Sequence, residues 1–152
     1  MDNTTAPKLA CQSEGVVMII IGLHDLIYPT RFIYTKDLES LRTLQASSSP
    51  FEQIAWFDFH DDSEFALCSY AKVNGIDFAI RVHDVVEFLS GAYFLPRYLL
   101  VDSSPKVYQT LADEYLLDSK VLCVIGGSSQ IEECALQGID GVVFAHLLQL
   151  ES

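Results

Sequence analysis

The sequence predicts an α/β protein in which short, repeated strand–helix units form a curled parallel sheet, a truncated barrel. Three observations predict this fold. Apolar strand cores recur about every twenty-two residues, an amphipathic helix follows almost every one, and a polar residue ends nearly every strand. Alternating strands and helices give a parallel sheet with right-handed crossovers. Units this short and even favour sequential neighbours in a curling sheet, and a flat, doubly wound, flavodoxin-like sheet is the alternative.

The first elements follow an irregular N-terminus. Residues 1–14 have no hydrophobic periodicity and predict a mobile tail, so that residues 15–152 form one α/β domain. Residues 16–22 are rich in β-branched side chains between two glycines and predict a fully buried strand. A short strand at 31–34 and a helix at 37–45 follow.

From residue 54 the pattern is regular. The predicted strands lie near 54–59, 77–82, 98–102, 120–125 and 141–145. The predicted helices lie near 63–73, 85–94, 105–117 and 129–137. Candidate N-caps precede these helices: Asp62 or Ser63, Asp84, Ser104 and Ser128 or Ser129. Seven strands are fewer than the eight of a closed barrel, so we expect a homodimer that covers an open edge or face.

Composition excludes several classes of protein. Twenty-one acidic against nine basic residues give a net charge of −12, which predicts no nucleic-acid partner and no anionic membrane surface. The longest apolar run, residues 16–23, is far shorter than the roughly 20 residues of a membrane span. Asp2 and Glu14 argue against a signal peptide. Four cysteines without a C-x-x-C pair are typical of free thiols in a reducing compartment, and we expect a cytoplasmic protein.

The candidate site lies at the C-terminal ends of the strands, where ligands bind in parallel α/β sheets. Residues two apart in a strand share a face, which pairs Asp58 with His60 and Arg81 with His83. The next strands end at Asp102, at Gly126 and close to His146. One rim could thus present six ionisable groups suited to general acid–base chemistry.

Structural interpretations of the same residues stay open. Helix capping alone explains Asp62 and Asp84, and an ion pair between neighbouring strands explains Asp58 and Arg81 as well as a site does. A metal could use the remaining rim ligands, with Asp58 behind them: His60, His83, His146 and Asp102. No His-x-His or His-Glu-x-x-His spacing occurs, so the sequence predicts no metal site and identifies no cofactor. The sequence has neither a Gly-x-Ser-x-Gly elbow nor a lysine inside a predicted strand, so it gives no sign of covalent catalysis.

The segment from Gly126 to Ser129 carries the most specific signal. Its two glycines allow close approach of a ligand, and the amides of Ser128 and Ser129 at a helix start favour an anion. Residues 120–148 resemble the last two units of phosphate-binding (β/α) barrels of the ribulose-phosphate-binding class, which includes thiamine-phosphate synthase and the ketogluconate-phosphate aldolases. In those barrels the Gly-Gly turn and the end of the next strand hold phosphate. This chain departs from them with Ala145-His146 after its final strand and with no aldolase lysine.

Together these features predict a protein that binds a small anionic or phosphorylated metabolite at its C-terminal rim. Any chemistry would be proton transfer of the lyase or isomerase kind. His60 or His83 would act as acid or base, Asp58 would orient one of them, and Arg81 would hold substrate charge. The phosphate-binding residues would be Gly126, Gly127, Ser128 and Ser129, with Asp102 and His146 beside them. The alternative is a non-catalytic interaction or scaffold protein that retains a degenerate barrel module.

Overall fold

The computed structural model describes residues 17–149. The predicted tail at 1–14, Cys11 and the start of the strand predicted at 16–22 lie outside these residues. The strands are β1 (Ile19–Ile21), β2 (Thr30–Tyr34), β3 (Glu52–Asp58), β4 (Phe78–Arg81), β5 (Tyr98–Val101), β6 (Lys120–Ile125) and β7 (Gly141–Phe144). The α-helices are α1 (Leu38–Ala46), α2 (Ala66–Val73), α3 (Val85–Ala92), α4 (Pro105–Glu114) and α5 (Ser129–Leu136).

All seven strands form one parallel sheet in the order β1-β7-β6-β5-β4-β3-β2. From β2 to β7, each strand pairs with the next strand along the chain, so the sheet never reverses direction as a doubly wound sheet must. The sheet curls into a half-barrel. The predicted curled fold is therefore confirmed, and the flat alternative is wrong.

Apolar side chains on the two faces of the sheet form two separate cores. The outer core combines strand residues such as Phe57 and Phe78 with helix residues such as Leu41, Phe88 and Ala112. The inner core is built from strand residues and Leu148, which lies in a 3₁₀ helix after β7, and no residue of α1–α5 belongs to it. Because no α-helix covers the inner face, the curl of the sheet itself removes those side chains from water.

Strand β1 lies at one edge of the sheet, next to β7. It is shorter than predicted, and only Ile21 is fully buried, because an edge strand has one neighbour. Gly141 allows the pairing, since a Cβ at this position would lie 2.5 Å from the backbone oxygen of Ile19. The 3₁₀ helix Ala145–Leu148 contacts β2 at the opposite edge, and Leu148 is buried in the inner core.

The predicted N-caps have different outcomes. Asp84 caps α3 by accepting the Glu87 amide at 2.8 Å, as predicted. The buried carboxylate of Asp62 accepts the amides of Leu67 at 2.7 Å and Cys68 at 2.9 Å, so it caps α2 from a distance. Helix α2 begins later than predicted because two residues before it adopt left-handed conformations. Neither Ser104 nor Ser128 makes a side-chain capping bond.

The three cysteines within residues 17–149 are free and buried, as expected from the absence of paired motifs. Burial raises the pKa of the Cys123 thiol to about 12. Burial also raises the thiol pKa of Cys68, where Asp62 adds to the effect, and that of Cys134. Thiols held this strongly in the protonated form are inert core residues rather than nucleophiles.

The half-barrel has open edges, and for this reason we still predict a homodimer. Within residues 17–149, strands β1 and β2 each pair on one side only, and exposed parallel edges are rarely left unpaired in proteins. We expect light scattering coupled to size exclusion to give about 34 kDa at micromolar concentration, twice the chain mass of 17.0 kDa. A mass of a single chain across that concentration range would contradict the homodimer.

Candidate functional site

Side chains from the C-terminal ends of β3, β4 and β5 meet on the inner side of the sheet. Asp58 and Arg81 are paired residues in the register of β3 and β4. Arg81 pairs in turn with Leu100, and Asp102 follows two residues later on the same face. The alternation that buries Trp56 in the inner core therefore carries these charged groups to the rim above it. The sequence predicted this common face.

A histidine–carboxylate pair lies at the centre of the rim. The Nε2 atom of His83 lies 2.9 Å from Oδ1 of Asp58. The ring of His60 lies edge-on to that of His83, with ring centroids 4.9 Å apart. His60 belongs to a 3₁₀ helix, Phe59–Asp61, that follows β3 directly, and its side chain is half exposed. The structure thus brings together the three residues predicted to carry acid–base chemistry.

Arg81 makes its principal contacts with Asp102. Its Nη2 and Nε atoms lie 2.7 Å and 2.9 Å from the same Asp102 oxygen. The predicted contact with Asp58 is present but longer, at 4.0 Å. Asp58 is instead held by His83, so Arg81 and Asp58 have separate main partners. The four side chains form one chain of contacts along the rim.

Glu87 joins this cluster, and the sequence analysis did not assign it a site role. One carboxylate oxygen accepts the backbone amide of His83 at 2.8 Å, and the other lies 4.0 Å from Nδ1 of His60. The pattern Asp84-x-x-Glu87 at a helix start resembles a capping box and predicts a carboxylate that turns back toward the residues before the helix. That signal could have placed Glu87 near His83.

The backbone amides of the Gly-Gly turn form hydrogen bonds with a side chain of the same protein. The amides of Gly126 and Gly127 both donate to Oε1 of Gln130, at 2.8 Å and 3.3 Å. The two glycine amides are therefore satisfied by a neighbouring side chain, whereas the predicted donors, the amides of Ser128 and Ser129, have no hydrogen-bond acceptor within residues 17–149. Ser128 and Ser129 stand at the start of α5, as predicted. A Cβ at Gly127 would meet no atom within 4 Å, so the space beside this residue is open.

His146 is placed apart from the cluster. It lies in the 3₁₀ helix after β7, is exposed, and packs its ring 5.8 Å from that of Phe144. Among the described residues it makes no hydrogen bond or ion pair with the rim groups around His83. Phe59 and Phe144 belong to the outer core, so their rings do not fill the inner side of the rim.

A small cavity of about 90 Å³ opens at the rim between the ends of β4 and β5. Its lining includes His83, Asp102, Ser103 and Tyr108. Burial, together with the nearby carboxylates of Asp84 and Glu87, raises the pKa of the Tyr108 phenol. The Tyr108 hydroxyl is therefore protonated at neutral pH and can donate a hydrogen bond.

The charge of the cluster is negative. Asp58, Glu87 and Asp102 contribute three carboxylates against the single guanidinium of Arg81, which gives −2 when both histidines are neutral. One ligand atom each from Asp58, His60 and His83 lies within 4.8 Å of the others. This group differs from the metal set considered from the sequence, because Asp58 takes part and His146 and Asp102 do not.

Comparison with known proteins does not name a family. No protein-family model and no curated protein sequence matches this chain. The resemblance to phosphate-binding barrels therefore stays a prediction based on residues 120–148. Within residues 17–149, no helix is both long and apolar enough to cross a membrane.

The contact between Arg81 and Asp102 should make a modest contribution to the free energy of unfolding. The side chains are 22% and 36% exposed, so water screens them only in part. We expect Asp102→Asn to lower the free energy of unfolding by about 1–2 kcal/mol in wild type and by about 0.5 kcal/mol or less in an Arg81→Met background. Urea titration followed by the fluorescence of Trp56, the single tryptophan, measures both values.

The matched control is Asp61→Asn, which changes a 59% exposed carboxylate that contacts His60 and no other basic group of the described residues. It should change the free energy of unfolding by less than about 0.5 kcal/mol. Equal effects of Asp102→Asn with and without Arg81 would show that the two side chains are not energetically coupled.

Proposed function

We propose that the C-terminal rim binds a small anionic metabolite and acts on it by proton transfer of the lyase or isomerase type. The observation that carries this proposal is the 2.9 Å contact between His83 Nε2 and Asp58 Oδ1, beside a second histidine that is half exposed. A carboxylate bound to one ring nitrogen fixes the tautomer and leaves the other nitrogen to exchange a proton. In this arrangement Asp58 orients His83, and Nδ1 of His83 is the acid or base.

The size of the rim cavity limits the metabolite. A volume of about 90 Å³ admits one polar group, so the rest of the molecule lies over the open rim. The Nη2 and Nε groups of Arg81 donate to Asp102, and the remaining N–H groups of its guanidinium are left for a substrate carboxylate or phosphate. The protonated hydroxyl of Tyr108 supplies a further donor. These groups favour a small compound with an oxyanion next to the carbon that loses its proton.

The proposed phosphate subsite at Gly126–Ser129 requires a rearrangement. Gln130 must swing away before a phosphate can accept the amides of Gly126 and Gly127. The free energy of those two bonds is then a cost of phosphate binding. Phosphate affinity at this turn should be modest for that reason.

The scaffold interpretation is the second candidate, and the Gln130 contacts favour it. A turn whose two glycine amides already donate to Gln130 offers fewer free donors to a ligand, and the rim cavity is small. An interaction protein would keep the rim polar network for stability alone. The two candidates differ in whether the native chain exchanges a substrate proton.

We expect the chain to catalyse exchange of carbon-bound hydrogen for deuterium in D₂O when it is offered a panel of ketose phosphates, aldose phosphates and 2-oxo acids. Proton NMR follows the loss of the exchanging signal. His83→Gln and Asp58→Asn should slow exchange by about 100-fold or more, because the oriented base is lost. His146→Gln should leave the rate unchanged, since that ring lies outside the cluster. No exchange and no thermal stabilisation by any member of the panel would favour the scaffold.

The turn itself can be tested with inorganic phosphate. We expect Gln130→Ala to tighten phosphate binding by up to about tenfold, because the competing acceptor is removed. Chemical-shift changes at the amides of residues 126–129 report the binding. Gln137→Ala, at the other end of the same helix, is the control and should have no effect. Gly127→Val should abolish the shifts without a steric clash, given the open space there. Shifts that Gly127→Val retains would place the phosphate elsewhere.

A further inference from the structure

We infer that Asp58, His60 and His83 form a binding site for one divalent transition-metal ion of the zinc class. The site goes beyond the proposed metabolite binding and does not depend on it, because the metal alone tests it. Three donor atoms, one from each residue, lie within 4.8 Å of one another at the C-terminal rim. Within residues 17–149 this is the group of histidine, cysteine and carboxylate side chains that gathers closely enough to hold an ion.

The donors need only a small movement to close around an ion. Zinc bonds to nitrogen and oxygen of about 2.0–2.2 Å place the ligand atoms of a tetrahedral site about 3.4 Å apart. The His83 and Asp58 donors are already closer than this, at 2.9 Å. His60 therefore makes most of the adjustment, and its side chain, 51% exposed, has room to turn.

The chemistry of the donor set points to a transition metal rather than to magnesium or calcium. Two imidazole nitrogens and one carboxylate oxygen suit zinc, iron and cobalt, whereas magnesium and calcium prefer oxygen ligands alone. Three protein ligands leave one coordination position open to water or to a substrate oxygen. An open position at an uncovered rim is typical of a metal that takes part in chemistry rather than one that only stabilises a fold.

Local charge favours the ion as well. The cluster of Asp58, Glu87, Asp102 and Arg81 carries an excess of two negative charges when the histidines are neutral, which is the form that binds metal. A dication brings this cluster to neutrality. A substrate anion is repelled by these carboxylates at the metal-free rim, so its binding there depends on the donors of Arg81 and Tyr108.

The surroundings hold two of the three ligands, His83 and Asp58, in place. Glu87 accepts the backbone amide of His83, whereas its second oxygen, 4.0 Å from His60 Nδ1, reaches hydrogen-bond distance only if the His60 ring turns. Carboxylates behind ligating histidines orient the imidazole in metal sites generally. Asp58 closes β3, so its backbone is fixed by the sheet.

The bound metal would change how the proposed proton transfer runs. His60 and His83 would serve as ligands instead of as acid or base, and the metal would supply a Lewis acid that lowers the pKa of a water in the open position. A base other than His83 would then take the substrate proton. The metal-free protein keeps His83 as the acid or base, so the two forms are distinguished by activity with and without a chelator.

The decisive experiment is calorimetric titration of the tag-free, chelator-treated protein with Zn²⁺, repeated with Co²⁺ while Trp56 fluorescence and visible absorption are recorded. We expect one ion per chain, visible Co²⁺ bands, and quenching of Trp56, which lies two residues before Asp58 on the same face of β3. His60→Ala, His83→Ala and Asp58→Asn should each raise the dissociation constant by about 100-fold or more. His60→Ala alters a half-exposed side chain and should stay folded.

His146→Ala and His24→Ala are the matched controls, since both remove an exposed histidine outside this group of donors, and they should leave the dissociation constant unchanged. Binding that these controls weaken as much as His60→Ala does would place the ion elsewhere and overturn the site. Absence of stoichiometric binding at 1 mM Zn²⁺, roughly a thousand times a micromolar Kd, would also overturn it. Neither result bears on deuterium exchange by the metal-free chain, so failure of the metal site and failure of the proposed function are separable.

Discussion

The inner face of the sheet has to be buried without help from helices, and the rest of the structure follows from that constraint. All five α-helices pack on the outer face, yet Ile54, Leu100 and Leu122 on the inner face are fully buried. A flat sheet would expose them to water at a cost of roughly 2 kcal/mol for each large side chain. Curling brings the strands around their own apolar layer, and Leu148 fills part of the space from the chain end.

The same curl makes the rim. Parallel strands that bend around one axis bring their C-terminal ends together, so side chains that continue the inner alternation converge above the apolar layer. Asp58, Arg81 and Asp102 are those side chains, and each is only partly exposed. Charged groups in that position must satisfy one another. Asp102 forms an ion pair with Arg81, and His83 contacts the carboxylate of Asp58.

Electrostatics connects the two proposals for this rim. The surplus of carboxylates adds repulsion that weakens anion binding in the metal-free protein, while the two imidazoles beside Asp58 favour a metal cation. A dication at the three donors would remove that repulsion and leave Arg81 and the hydroxyl of Tyr108 free to orient an anionic ligand. Metal and metabolite would then bind with positive coupling, which the scaffold interpretation does not require.

The sequence by itself determined the class of fold, the strand and helix periods and the common face of Asp58 and Arg81, because side-chain alternation and hydrophobic period are local properties of the chain. Only the tertiary structure decided which polar groups of the site contact one another. Arg81 prefers Asp102, Gln130 occupies the glycine amides, and Glu87 reaches His83, since each contact depends on rotamers and on distances between separate elements. The sequence could place these groups at one rim, but their spacing there is set by how tightly the sheet curls.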